Sequence, residues 1–354
     1  VTKIHEISNI LLGWYRLHKR ELPWRDDRDP YKIWLSEIIL QQTRVQQGLP
    51  YYWAFIHKFP TIKALASADL AEVYNLWQGL GYYSRANNLH KTAKIIASQY
   101  NGLFPHSYPD LLKLPGIGPY TAAAIASMAF GLKYPAMDGN FFRVVGRLFE
   151  VDEQSNSTTG KKLYHKLGEL LLEGVDSADL NQAIMDFASA RCTPTAPNCD
   201  SCPLISHCQA FLNGSVNKYP LKTIKNPKKV QYLYFFYTEN KIWIRHRNKN
   251  TTWNNLFEFP NFISSDPIDI SNKYLQVKLY EKDLLIELDG NPHYLKHHLT
   301  HITFHIYILK IFSNFAMDKL WKTNGFFVIN PKDYKNYAFP KPLVDFITNH
   351  LYHV

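Results

Sequence analysis

The chain has 354 residues, of which 46% are hydrophobic and 15% aromatic, which is long enough for two folded cores and too apolar for a disordered polymer. Its formal net charge of +10 favours a polyanionic partner, although solubility alone is the plainer explanation; the excess is uneven, with 21 Lys and Arg against 19 Asp and Glu in residues 1–212 and 19 against 11 in residues 213–354. No apolar run approaches a membrane span, and all four cysteines fall between Cys192 and Cys208, which argues against a disulfide framework and for a reducing compartment.

The chain opens at Val1, as though an initiator methionine had been removed or left out of the numbering. Ile4, Ile7, Ile10, Leu11, Trp14 and Leu17 stand at helical spacing without a signal-peptide cleavage site, predicting a first helix of the fold. Apolar residues then recur every three and four positions through 31–40, 62–80, 86–99, 120–130, 141–149, 161–172 and 180–190, which predicts an all-α domain over residues 1–212. Residues 213–229 carry five lysines, two prolines and no acid, and read as an exposed interdomain linker able to touch DNA. From residue 230 the period changes to two, in 230–238, 242–247, 275–280 and 301–312, and a closing helix is expected near 343–351. The second domain, 230–354, is therefore α+β.

Three patterns carry chemistry. Leu114-Pro115-Gly116-Ile117-Gly118-Pro119-Tyr120-Thr121-Ala122 reads as a tight turn between two helices. It is either an ordinary helical hairpin or a phosphate cradle, because unpaired amides and the helix dipole both favour an anion there. Cys192, Cys199, Cys202 and Cys208, interrupted by three prolines, can wrap one compact metal centre; four sulfur ligands suit zinc and iron–sulfur alike. Two carboxylates stand out. Glu37 lies among Ile33, Trp34, Leu35, Ile38 and Ile39, neighbours that could desolvate it and raise its pKa, though with Ser36, Gln41 and Arg44 it also fits a polar stripe. Asp138, before Gly139-Asn140 and an apolar helical run, is placed to cap a helix.

The hairpin string with an aspartate at this distance resembles the helix-hairpin-helix DNA glycosylases. Pro23-Trp24-Arg25, Trp34-Leu35-Ser36-Glu37, Leu40-Gln41-Gln42-Thr43 and Gly79-Leu80-Gly81-Tyr82-Tyr83-Ser84-Arg85 resemble the MutY-type adenine glycosylases within that superfamily, as do Trp253-Asn254-Asn255-Leu256-Phe257-Glu258-Phe259-Pro260 and Tyr337-Ala338-Phe339-Pro340 in the second domain. The resemblance implies a helical glycosylase domain holding a 4Fe-4S cluster on the four cysteines, followed by a Nudix-like domain. It implies removal of adenine mispaired with 8-oxoguanine or guanine in duplex DNA, in base excision repair. Glu37 would protonate the departing adenine, Asp138 would stabilise the cationic sugar, and Tyr120 and Asn140 would assist. Gly116, Gly118 and Arg25 would meet DNA, with Gln42 and Tyr82 wedged into the base stack.

Tyr120 stands where bifunctional relatives place a lysine that forms a Schiff base with the sugar; a phenol cannot, so a monofunctional enzyme leaving an abasic site is expected. The second domain shows no glutamate-rich magnesium-binding helix, which disfavours nucleotide hydrolysis. The family's Phe-Ser-His reader of 8-oxoguanine is replaced by Leu299-Thr300-His301, preceded by His297 and His298, so a hydroxyl and an imidazole remain but the ring does not. An ordinary polar loop, or adventitious metal binding, is the alternative for these histidines. A monomer is expected, intracellular and at the nucleoid if bacterial. The rivals are a thymine mismatch glycosylase, a catalytically silent iron–sulfur DNA-binding protein and a nucleotide-pool hydrolase.

Overall fold

A computed structural model of the chain describes residues 2–221, 227–239, 241–247, 252–254, 256–299, 301–312 and 314–351. In chain order the helices are α1 (Thr2–His18), α2 (Pro30–Leu40), α3 (Val45–Lys58), α4 (Ile62–Ser67), α5 (Leu70–Trp77), α6 (Ser84–Gln99), α7 (Tyr108–Leu112), α8 (Pro119–Phe130), α9 (Gly139–Phe149), α10 (Thr158–Leu172), α11 (Ser177–Ala190) and α12 (Gln209–Leu212). Strands β1 (Lys229–Tyr237), β2 (Ile242–His246), β3 (Phe257–Glu258), β4 (Asn261–Ser264), β5 (Tyr274–Leu279), β6 (Lys282–Glu287), β7 (His293–His298) and β8 (Ile302–Lys310) follow, then α13 (Phe315–Thr323), β9 (Phe327–Ile329) and α14 (Lys341–Phe346). The chain divides into two compact units, residues 1–68 with 87–224, and residues 69–86 with 225–354. No helix among the described residues is long and apolar enough to cross a membrane.

The first unit is built around α8. Its residues Thr121 to Met128 are all buried, and four of them are alanines, so neighbouring backbones come close. Helices α2 and α11 pack against it. From α11, the buried Asn181 donates to Ser127 Oγ at 2.9 Å and Tyr134 O at 3.0 Å and accepts from Ala136 N–H at 3.0 Å. That side chain fixes the loop leading to Asp138. A second cluster, with Leu11, Trp14, Phe141, Val145, Tyr164, Leu180 and Phe187, packs α1, α9, α10 and α11 together.

Two readings of this unit change. Helix α3 is absent from the sequence pattern because Pro50 interrupts it; the proline is accommodated inside the helix. Residues 213–220, expected as exposed linker, are anchored to the end of α9. Asn213 Nδ2 bonds Glu150 at 2.6 Å, Lys218 Nζ and Tyr219 Oη both reach Asp152 Oδ1 at 2.8 and 2.7 Å, and Tyr219 is 3% exposed. A buried tyrosine with a partner for its hydroxyl overrides the polar composition around it. Lys222 and Lys225 lie outside the described residues.

In the second unit a four-stranded sheet runs in the order β4-β1-β8-β7. Strands β1 and β8 are parallel from Lys229↔Ile302 to Tyr237↔Lys310, and the outer pairs are antiparallel. The period-two pattern is explained by core on both faces. Leu233, Phe235, Ile306 and Ile308 meet Phe339 and Leu343 on one face, and Tyr234, Phe236 and Leu309 meet Ile286 and Trp321 on the other. Strand β7, His-Tyr-Leu-Lys-His-His, has no apolar alternation of its own and lies outside the period-two segments of the sequence; pairing with β8 makes it a strand. Strands β4, β6 and β9 and helix α13 also escape the pattern, being short or edge elements with mixed exposure.

Glu258 is buried in this unit between two arginines, Arg245 Nε at 2.9 Å and the equally buried Arg247, with Asn261 Nδ2 at 2.9 Å. Glu258→Ala leaves a guanidinium buried without its counter-ion and is expected to cost about 3 kcal/mol, read from chemical denaturation. A loss under about 1 kcal/mol would place the pair with solvent-screened surface bridges.

Candidate active site

The cleft of the first unit is lined by Glu37 and Gln41 at the end of α2, Gln42 just beyond it, Tyr120 in the first turn of α8, and Asp138 and Asn140 at the start of α9. Each stands at a helix end because of its local sequence. Asp29 caps α2 by accepting from Tyr31 N–H, with Pro30 at the first helical position. Tyr31, Ile33, Trp34, Ile38 and Ile39 bury the rest of that helix, which carries Glu37 into the cleft. Gly118 caps α8 and is followed by Pro119.

The hairpin preceding α8 is exposed at Gly116, Gly118 and Pro119. Gly116 adopts φ of +77°, and a Cβ there would stand 2.8 Å from Asn88 Cβ, so both conformation and space call for glycine. Thr92 Oγ1 holds the turn by donating to Pro115 O at 2.8 Å. The first-turn N–H groups of α8 have no acceptor within the helix, the arrangement that receives a phosphate.

The two carboxylates are treated differently. Burial pushes the Glu37 carboxyl up to about 7; the Tyr120 hydroxyl, hydrogen-bonded to it, works the other way, while the charge of Asp138 adds to the rise and Arg25 opposes it. Asp138 is also raised by burial, but it has more donors. Its Oδ1 accepts Phe141 N–H at 2.8 Å as the cap of α9, and its Oδ2 accepts Asn140 Nδ2 at 2.7 Å. Burial and both carboxylates drive the Tyr120 phenol well above its ordinary range, so it remains a neutral donor. One carboxyl raised to about 7 beside one whose rise is opposed by a backbone amide and an amide side chain is a pairing able to divide acid and electrostatic roles.

Two further groups escaped the sequence reading. Arg143 NH2 donates to Asn140 Oδ1 at 3.0 Å and Ala188 O at 2.9 Å, while its Nε donates to Cys192 O at 2.7 Å. Asp138 is thereby joined through Asn140 and Arg143 to the first cysteine of the cluster. Asp186, 1% exposed, receives Arg25 at 2.8 and 3.0 Å and Arg20 Nε at 2.7 Å. Burial would raise Asp186, yet these arginines hold it below its usual range. Arg25, expected to meet DNA, thus lines the cleft with its guanidinium already engaged. The only sequence signal for either pair was an ionic residue inside an otherwise apolar helix face.

Gln42 and Tyr82, the wedge candidates, are exposed and both left-handed, with φ of +57° and +49°. Non-glycine residues in that region are uncommon and gather at functional sites. Leu299 and His301 flank the turn between β7 and β8, closed by Leu299 N–H to Ile302 O at 2.8 Å; Thr300 lies outside the described residues. Leu299 packs against the core of its unit, whereas His301 is exposed. His298 Nδ1 lies 3.0 Å from Thr303 Oγ1, and the ring of His297 lies 5.6 Å from that of Trp253.

Cys192, Cys199, Cys202 and Cys208 line one cavity with Val144, Phe187 and Leu204. Arg147 donates to Cys192 Sγ at 3.3 Å and to Thr193 O and Pro194 O at 2.8 and 3.0 Å. Burial raises Cys199 and Cys208 and pushes Cys202 up to about 11, so these sulfurs need a positive group to become thiolates. Among the described residues no three ligating side chains are set to hold one metal ion; the thiols ring a cavity instead. Four thiols around one cavity fit an iron–sulfur cluster and a zinc ion alike.

Residues 35–171 match the family described as HhH-GPD superfamily base excision DNA repair protein, and residues 231–349 match the NUDIX domain. The chain is 35% identical over 356 residues to an adenine DNA glycosylase of Buchnera aphidicola subsp. Schizaphis graminum, covering 96% of this chain and 97% of that one. It is 40% identical over 219 residues to the human adenine DNA glycosylase, covering 59% of this chain and 40% of that one. Among solved structures it is similar to a thermostable thymine-DNA glycosylase, with 30% identity and a TM-score of 0.56, covering 60% of this chain and 98% of that one.

The raised Glu37 carboxyl sets a stability profile. Its proton is held more tightly in the folded than in the unfolded chain, so the contribution is fully present below about 4.5 and lost as pH rises through about 7. Glu37→Gln cannot ionise, and its thermal midpoint is expected to gain on the parent by a few degrees between about pH 5 and about pH 8. A constant difference across that range would mean that Glu37 ionises freely in the cleft.

Proposed function

Because this chain belongs to the adenine DNA glycosylase family, and is an adenine-specific DNA glycosylase of base excision repair, we propose that its substrate is adenine paired with 8-oxoguanine or guanine in duplex DNA and that it is monofunctional, acting as a monomer. The observation that carries the mechanism is the unequal environment of Glu37 and Asp138 in one cleft.

Glu37 donates its proton to the departing adenine, which lowers the barrier to breaking the N-glycosidic bond. Positive charge then develops on the sugar, and the Asp138 carboxylate, kept in place by Phe141 N–H and Asn140, stabilises it. Tyr120 stays neutral and orients Glu37 through its hydroxyl. Water completes the hydrolysis and leaves an abasic site. With a phenol at position 120 no imine forms with the sugar. The hairpin glycines hold backbone phosphate, and Gln42 and Tyr82 enter the stack vacated by the extruded nucleotide.

Cys192, Cys199, Cys202 and Cys208 would hold a 4Fe-4S cluster, which supplies a charged, rigid anchor for the loop they span. The tip between β7 and β8 reads the base opposite adenine through Thr300 and His301, with Leu299 packed against the core of its unit. A thymine mismatch enzyme is disfavoured by near full-length similarity to adenine glycosylases, including the NUDIX match.

Single-turnover assays on duplexes carrying A opposite 8-oxoguanine, A opposite G and T opposite G test this reading. Adenine release is expected to be fastest opposite 8-oxoguanine, with strand breaks only after alkali and no borohydride-trapped adduct. Release is expected to decline as pH rises through about 7. Glu37→Gln should slow it by roughly 10²–10⁴-fold. Thymine release, or breaks without alkali, would overturn the assignment. Purified protein is expected to hold about four irons with acid-labile sulfide. One zinc per chain instead would replace the cluster by a mononuclear site.

A further inference from the structure

Tyr82 is 43% exposed, and its backbone turns through three left-handed residues, Gly79, Gly81 and Tyr82, with φ of +98°, +72° and +49°. A tyrosine does not rest in that conformation unless its surroundings impose it. Arg85, in the first turn of α6 and 8% exposed, bonds this turn. One of its guanidinium nitrogens, NH2, donates to both Leu80 O at 3.1 Å and Gly81 O at 3.2 Å. Trp77 Nε1 donates to the same Gly81 carbonyl at 2.9 Å. The guanidinium carbon stands over the Trp77 ring at 5.0 Å and the Tyr82 ring at 5.7 Å. Arg85 N–H closes the turn on Tyr82 O at 2.8 Å.

We propose that Arg85 is a positioning residue for base extrusion: its guanidinium, seated on Trp77, locks the Gly79–Tyr82 loop so that the Tyr82 ring is already presented before DNA arrives. This rests on the reading of Tyr82 as the wedge. Planarity matters as much as charge, because a flat, forked cation can lie against two rings while it bonds two carbonyls, and an ammonium cannot. Preorganisation of this kind lowers the ordering cost at the moment of binding.

The test uses the full chain and duplexes carrying 2-aminopurine at the target adenine, whose fluorescence reports extrusion, with single-turnover release and affinity for undamaged duplex measured alongside. Tyr82→Ala and Arg85→Lys are each expected to lower extrusion and release roughly tenfold or more, with Arg85→Lys leaving undamaged-duplex affinity unchanged. The double variant should lose no more than either alone. Gly81→Ala keeps Arg85 intact and places a methyl in open space, but at a φ that only glycine adopts easily, so it should reproduce the loss through the loop alone. A silent Tyr82→Ala would remove the wedge reading and this proposal together. An active Arg85→Lys or Gly81→Ala beside an impaired Tyr82→Ala would overturn the proposal and leave the wedge standing, as would additive losses in the double variant.

Discussion

Placing two carboxyls in one half-buried cleft is the constraint on which the catalytic unit turns. Burial opposes both charges, and the charge of Asp138 further opposes that of Glu37. The fold resolves the conflict by giving the donors to one partner. Asp138 sits at a helix start, where a backbone amide and the Asn140 side chain favour its anion, while Glu37 is left on an apolar helix with one phenol for company. Burial thus acts on Glu37 with less to oppose it than on Asp138.

That division depends on residues behind the cleft. Asn140 is aimed by Arg143, and Arg143 is aimed by carbonyls at the end of α11 and on Cys192. The cysteine loop is in turn held by Arg147, whose fork also meets Val216 and Tyr219 where the chain leaves α12. Position is passed from the cysteine cavity to Asp138 through fixed hydrogen bonds of two guanidinium groups.

This use of arginine alters what the net charge means. Arg25, Arg85, Arg143, Arg147 and Arg247 are internal fasteners, engaged with Asp186, backbone carbonyls or Glu258. The basic surface offered to a polyanion is chiefly lysine, together with the uncharged amides of the hairpin. A guanidinium suits the interior because it remains hydrogen-bonded on several sides while its charge is partly desolvated.

The helical and α+β halves, the glycine hairpin and the cysteine spacing were legible in the sequence, since each depends on local periodicity or turn chemistry, whereas Glu37, Asp138 and Tyr120 stood out only through the resemblance, Glu37 fitting a polar stripe equally well. Helix α3 and strand β7 were not, because Pro50 and a run of histidines have the wrong local preference and only packing and cross-strand pairing override it. The anchoring of residues 213–220 was hidden for the same reason, as a polar segment becomes fixed once Tyr219 finds Asp152. Tertiary structure alone decided which carboxyl receives the donors and which arginines are committed inside. Desolvation and hydrogen-bond partners come from residues distant in sequence, and no local pattern encodes them.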